Sequence, residues 1–210
     1  MLYDFLQSRY QPNEPIFLSD IQIEGVSDTN IRAQIKKLTD NGLLKRFDTG
    51  IYFIPKKSIF RSGAQMSTDQ VIEQKYLREK KTRCGYLSGL MFANQLGLTT
   101  QVPMVFEVVS NKATTEYRET TLAKSRIILR KPRAPITEQN FAVLQFLDLL
   151  KDIDQYAEVD QSMCTGLLTQ YMKNAGITFS QMEKYLPLYP DKVFKNMYEV
   201  RSDFKTCDDV

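Results

Sequence analysis

The sequence predicts an α+β fold, and three observations carry the prediction. A helical pattern followed at once by a short hairpin pattern fills residues 1–57, β-prone runs separated by turn residues fill 104–130, and apolar residues at helical spacing dominate from 137 onward. Residues 1–57 form a first domain that exits at Pro55, Lys56 and Lys57. Residues 58–66 mix Ser, Gly, Gln and Arg without periodicity and read as a linker. Residues 67–210 are expected to form a mixed α/β domain, with helices and a small antiparallel sheet over 67–135 and a helical C-terminal part over 136–210.

In the first domain, Leu2, Phe5 and Leu6 form the buried edge of a helix over Met1–Tyr10, which Pro12 and Pro15 end. Ile16 and Phe17 give a short extended piece, Ser19 and Asp20 are placed to cap a brief second helix through Ile23, and Glu24 with Gly25 make a turn. Ser27 and Asp28 start a third helix, Asp28–Asn41, whose buried face is Ile31, Ile35 and Leu38. At about 100° per residue, Thr29, Asn30, Arg32, Ala33, Lys36 and Lys37 fall on the opposite side, which gives that face the composition of a DNA-reading helix. Gly42 supplies the permissive residue past the helix end, and Leu43–Phe47 and Ile51–Ile54 are β-prone runs around Asp48, Thr49 and Gly50. Helix, tight stop and hairpin in that order predict a winged helix-turn-helix, in which the third helix enters the major groove and the hairpin, with Lys45 and Arg46 at its root, meets the flanking backbone. A solvated amphipathic helix ahead of an ordinary hairpin would show the same pattern. The local charge favours the first reading: Arg32, Lys36, Lys37, Lys45, Arg46, Lys56, Lys57 and Arg61 stand against Asp40 and Asp48, a local +6.

Ser67 is expected to cap a helix with Val71, Ile72, Tyr76 and Leu77 on one side and Lys75, Arg78, Lys80 and Lys81 spread over the rest as a solvated cationic face. Over Cys84–Pro103, CGYLSGLMFANQLGLTTQVP, the residues Tyr86, Leu87, Leu90, Met91 and Leu96 predict a compact helix closed by Gly97, with Gly85 and Gly89 spaced to let another backbone come close. Three β-prone runs follow, Met104–Val109, Glu116–Leu122 and Ile127–Leu129, with a turn at Asn111 and Lys112. Here Lys112, Arg118, Lys124, Arg126, Arg130, Lys131 and Arg133 face only Glu116 and Glu119, a local +5. That second basic patch is either a contact surface for a polyanion or a sheet edge guarded by charge.

The C-terminal part reads as four helices. Phe141, Leu144, Leu147 and Leu150 mark one from Glu138 to Tyr156; Met163, Leu167, Leu168 and Tyr171 mark another from Asp160 to Asn174, ended by Gly176. Ser180 begins a third with Met182 and Tyr185, and Asp191 caps a last one with Val193, Phe194, Met197 and Tyr198. After Ala134 twelve acids face seven bases, which suits packing or a protein partner better than nucleic acid.

Composition removes several function classes. The net charge is only +3, so any nucleic-acid reading rests on where the charge lies. Histidine is absent, which excludes Ser-His-Asp and Cys-His nucleophiles and the HExxH zinc site, and no GxxxxGK[ST] loop occurs. GYLSG is not a GxSxG elbow, because Ser88 stands one place late. Glu107 and Lys112 are too far apart for the ExK pair of a metal-dependent nuclease. Cys84, Cys164 and Cys207 are odd in number and widely separated, as reduced thiols of a cytosolic protein would be. Neither a signal peptide nor a membrane span is read, and no metal or cofactor is expected.

Two stretches together resemble a known family. FLSDI followed by NIRAQIKKLTDNGLLKRFDTGIYFIPK is similar to the winged-helix half of the AbiE-type antitoxins, the regulator component of bacterial type IV toxin-antitoxin systems, especially the short AbiEi-like proteins. Phe17, Asp20, Leu38, Gly42, Arg46, Gly50 and Tyr52 hold the marked places of that half. The second stretch ends in LGLTTQVP, and Gly85, Leu96, Gly97, Leu98, Thr99, Thr100, Gln101, Val102 and Pro103 match the family's run. The resemblance spans Ile16 to Pro132; the chain departs from it at Cys84 and Tyr86 and in its longer helical tail.

The resemblance implies a cytoplasmic protein, not an enzyme, that binds inverted-repeat operator DNA, represses its own operon and opposes a neighbouring nucleotidyltransferase toxin without a stable complex. Carried over by position, Thr29, Asn30, Arg32, Ala33, Lys36 and Lys37 would face the major groove, and Lys45, Arg46, Thr49 and Tyr52 would hold phosphates or the minor groove. Two copies would read the two half-sites, and the LGLTTQVP residues would serve a turn and the core. Two rivals remain: a regulator of the same build whose C-terminal domain binds a small molecule or a protein partner, with no toxin, and an enzyme acting on nucleic acid, which needs a carboxylate cluster or a metal.

Overall fold

A computed structural model describes residues 2–56 and 66–198, and the expected linker, apart from Met66, lies outside the described residues. The fold is α+β. The chain divides into two compact units, Met1–Gln74 and Lys75–Val210. Among the described residues no helix is long and apolar enough to cross a membrane.

The first unit opens with α1 (Leu2–Arg9), then β1 (Ile16–Phe17) and a single 3-10 turn at Leu18–Asp20. The expected second helix is reduced to that turn. Ser19 donates to the Asp20 carboxylate instead of accepting from a backbone N–H, and Ile21 leaves the turn extended, with its side chain buried. The next helix, α2 (Asp28–Asp40), starts where Ser27 accepts from the Asn30 N–H and stops before Gly42 at φ +72°. Strands β2 (Lys45–Asp48) and β3 (Ile51–Phe53) follow, and β1 pairs with β3 to give the sheet order β1-β3-β2, all antiparallel. Leu2 and Leu6 of α1, Ile31 and Ile35 of α2, and Ile16, Ile21, Leu44 and Ile54 share one core. This is the build of a winged helix whose middle helix has shrunk to one turn. The short helix α3 (Thr68–Ile72) begins at a full capping box between Ser67 and Gln70.

The chain passes into the second unit through a π-helical turn at Glu73–Leu77, so the helix expected to carry Arg78, Lys80 and Lys81 ends earlier. Those residues lie instead on or beside the small hairpin β4 (Arg78–Glu79) and β5 (Thr82–Arg83), turned by Lys80 at φ +56°. The stretch expected as a compact helix over 84–103 is also corrected: Gly85–Ser88 is a strand, β6, and only Gly89–Gln95 is a helix, α4. Two glycines impose the change. A side chain at Gly85 would meet the Tyr76 and Val109 carbonyls at 2.5 and 2.8 Å, as sheet pairing against β7 demands, and Gly89 sits at φ +63°, which breaks any helix running through it.

Strands β7 (Val105–Ser110), β8 (Tyr117–Leu122) and β9 (Ser125–Arg130) complete a four-stranded sheet of order β6-β7-β9-β8. The expected antiparallel sheet is in fact mixed, because β7 and β9 run parallel. β8 takes the outer edge, and the tight turn at Ala123 and Lys124 folds β9 back between β8 and β7. On one face Tyr86 and Val109 join a core with α5 (Phe141–Tyr156), α6 (Gln161–Ala175), α7 (Phe179–Glu183), a 3-10 turn at Leu186–Leu188 and a last helix, α8, over 191–198. Asp160 caps α6, Thr178 caps α7, and Gly176 closes α6 in the left-handed conformation. Met163, Phe194 and Tyr198, expected on buried faces, are exposed.

Candidate nucleic-acid interface

Helix α2 shows two contrasting faces. Ile31 and Ile35 are buried, while Thr29, Asn30, Arg32, Ala33, Lys36 and Lys37 are all exposed. The side chains of Arg32, Lys36 and Lys37 have no hydrogen-bond or ion-pair partner among the described residues, so no described carboxylate neutralises them. Asn30 accepts from the Gln34 amide at 2.9 Å, which spends its oxygen and leaves its two N–H donors. Ala33 contributes a flat patch between the cations.

The wing is short and braced. A bulge between Arg46 and Asp48 and a two-residue turn at Thr49 and Gly50 shape its tip. Arg46 donates to the Thr49 hydroxyl at 3.0 Å and to the Asp48 carbonyl at 3.3 Å, and Asp48 accepts from the Thr49 N–H at 2.7 Å. Arg46 and Thr49 are exposed, whereas Lys45 and Tyr52 are half-buried and Tyr52 packs against the core of the first unit. The guanidinium of Arg46 therefore reaches the turn of the wing, although its backbone lies in β2.

The seven bases of the second unit do not gather into one surface. Lys112 donates to the Lys75 and Arg78 carbonyls, Arg126 pairs with Glu119, Arg130 with Glu107, Lys131 with Glu116, and Arg133 donates to the Leu188 carbonyl while lying over the Tyr189 ring. Arg118 and Lys124 alone of the seven lack a partner among the described residues. Strand alternation puts Arg118 on the face opposite Arg126 and Arg130.

The LGLTTQVP run builds an anchored loop. Gly97 takes φ +77°, Leu98 is 0% exposed in the core, and Glu158, between α5 and α6, collects three donors: the Thr99 hydroxyl at 2.5 Å, the Thr100 N–H at 3.1 Å and the Gln101 amide at 2.6 Å. The Thr99 hydroxyl does most to hold the Glu158 carboxyl below the ordinary range, with Gln101 and the Thr100 N–H adding to it. Val102 and Met104, beyond the anchor, project at 82% and 86% exposure. Glu158 lies 57 to 59 residues from its donors, and nothing in the local pattern announces it.

The core also holds polar groups that periodicity misses. Tyr86 donates to Asp148 at 2.7 Å, and Gln145 donates to the Leu87 carbonyl while accepting from Tyr171. Burial pushes Asp148 above the ordinary carboxylate range, partly offset by the Tyr86 hydrogen bond and by Lys151. Burial likewise raises the thiols of Cys84 and Cys164, both free, which favours the neutral thiol over the thiolate.

A winged-helix unit with an unneutralised basic helix face, joined to an α+β unit on a mixed sheet, is the class of protein these observations define. The chain belongs to the family described as "Family of unknown function (DUF6088)", which matches residues 6–172. That span takes in the whole described wing, the sheet and most of α6. No curated protein matches the chain.

Proposed function

We propose that this protein is a sequence-specific DNA-binding repressor of the antitoxin type, with no catalysis of its own. One observation carries the DNA-binding part: Arg32, Lys36 and Lys37 form an exposed, unpaired cationic face on the helix that a winged helix lays into the major groove. Arg32 and Asn30 supply base-reading chemistry, and Lys36, Lys37 and the braced Arg46 supply phosphate contacts. Two copies on an inverted repeat would read its two half-sites.

The antitoxin part rests on the LGLTTQVP resemblance: the second unit would oppose a nucleotidyltransferase toxin in the cytoplasm without a lasting complex. The test is binding of the full chain to its own upstream DNA and to scrambled DNA over a salt series. Specific binding should weaken by about 0.9 log units per log unit of salt for each phosphate neutralised. Arg32→Ala should lower the preference for the upstream site roughly 10- to 100-fold, the range for a lost base contact. Equal, weak binding to both DNAs would sink the repressor reading, and a co-expression assay with an adjacent nucleotidyltransferase gene tests the antitoxin half separately.

A further inference from the structure

The second unit contains a cavity of ~230 Å³ bounded by the last two turns of α5, the first half of α6 and α8. Leu150, Ile153 and Leu168 give it apolar walls. Its polar groups are the Asp154 carboxylate, the Thr165 hydroxyl and the side-chain amides of Gln161 and Asn196. Thr165 is 6% exposed, yet its hydroxyl makes no hydrogen bond with a described residue. Asn196, also buried, donates its amide to the Leu150 carbonyl at 2.8 Å, and its side-chain oxygen accepts from no donor among the described residues. Asp154 is the one charged residue among the described lining, and it has no ion-pair partner among the described residues.

We infer that this cavity is a binding site for a small protonated amine on a short aliphatic body. A carboxylate and two acceptors open to the cavity, with no Lys or Arg among its described lining, favour a donor-rich cation, because hydrogen bonds from a charged donor to a carboxylate are the stronger kind. Asp154 and Ala157 place the C-terminal end of α5, the end of a helix that favours a cation, at the cavity wall. The opposing positive end of α6 is already occupied, because the Asp160 carboxylate accepts the Met163 N–H at 2.8 Å. Cys164 on the wall stays a neutral thiol, held protonated by burial first and by Asp154 second. The volume lies below the ~300–1,000 Å³ of sites for drug-sized ligands, which limits the occupant to a few heavy atoms. All described lining residues belong to the second unit, so the inference goes beyond the DNA-binding reading and does not depend on it.

The experiment titrates the full chain with 3-methylbutylamine, 3-methylbutanol and 3-methylbutanoate, three probes of one shape and different charge, by calorimetry and by backbone amide shifts. The amine should bind saturably at one site, the alcohol more weakly and the carboxylate not at all, with shifts centred on residues 161–168 and Asn196. Asp154→Asn, at an exposed position that leaves the fold intact, should weaken the amine about threefold, and the near-isosteric Thr165→Val should weaken it about three- to tenfold. Absence of saturable amine binding, equal binding of the carboxylate, or unchanged binding when Asp154→Asn and Thr165→Val are combined would each overturn the inference.

Discussion

At the scale of single residues, two carboxylates with opposite surroundings make opposite predictions. Burial raises Asp148, so the folded chain holds that proton more tightly than the unfolded one. Its contribution is most favourable at low pH and declines as pH rises from the ordinary value of 3.8 through the raised folded value. Asp148→Asn keeps an acceptor for the Tyr86 hydroxyl and abolishes the titration. Stability measured by denaturant titration at stepped pH should then lose its fall across that window, and an unchanged slope would refute the assignment. Glu158 is the reverse case. Its carboxyl is lowered by the Thr99 hydroxyl and the Gln101 and Thr100 donors, so its contribution is present above 4.5 and lost as pH falls through the lowered folded value. Glu158→Gln offers Gln101 a donor where it needs an acceptor, and hydrogen exchange at the Thr100 amide should accelerate severalfold while core amides of α5 stay protected. Protection unchanged at Thr100 would mean that the loop is held by something other than Glu158.

At the scale of elements, α2 is set by its ends. Ser27→Ala removes the acceptor of the Asn30 N–H and should destabilise the first unit by about 1 kcal/mol. Gly42 lies at φ +72° with open space where a Cβ would be, so Gly42→Ala carries a purely conformational cost of about 1 kcal/mol. Gly42→Asn should recover part of it, because asparagine tolerates the left-handed region; equal losses in both variants would point to a steric cause instead. The ends of α2 were legible in the sequence because caps are local chemistry. Strand β6 was not: its apolar residues fit a helical template as well as a strand, and pairing with β7 decided between them. The second helix of the first unit failed for a related reason. Ser19 and Asp20 have cap chemistry, but burying Ile21 required extended backbone one residue later.

At the scale of the whole molecule, charge is distributed more sharply than the net +3 suggests. In the second unit most of the cations named above are matched by carboxylates or carbonyls, whereas the cations of α2 are not. Lys36→Ala should therefore lower the salt slope of DNA binding by about one, and Arg118→Ala with Lys124→Ala, the two bases of the sheet without partners, should leave it unchanged. The opposite result would move the interface to the sheet.

The sequence by itself determined the α+β class, the capped α2 with its polar and apolar faces, the wing and the run of C-terminal helices. Each of these follows from local propensity and from a period of 3.6 or 2 read along the chain. Only the tertiary structure decided that β9 inserts beside β7 in parallel, that most basic residues of the sheet region are matched by partners, and that Glu158, Asp148 and Thr165 occupy polar positions inside the second unit. Those outcomes depend on groups that lie dozens of residues apart in the chain and meet only after it has folded, and no local pattern encodes which distant partner a carboxylate or a strand edge will find.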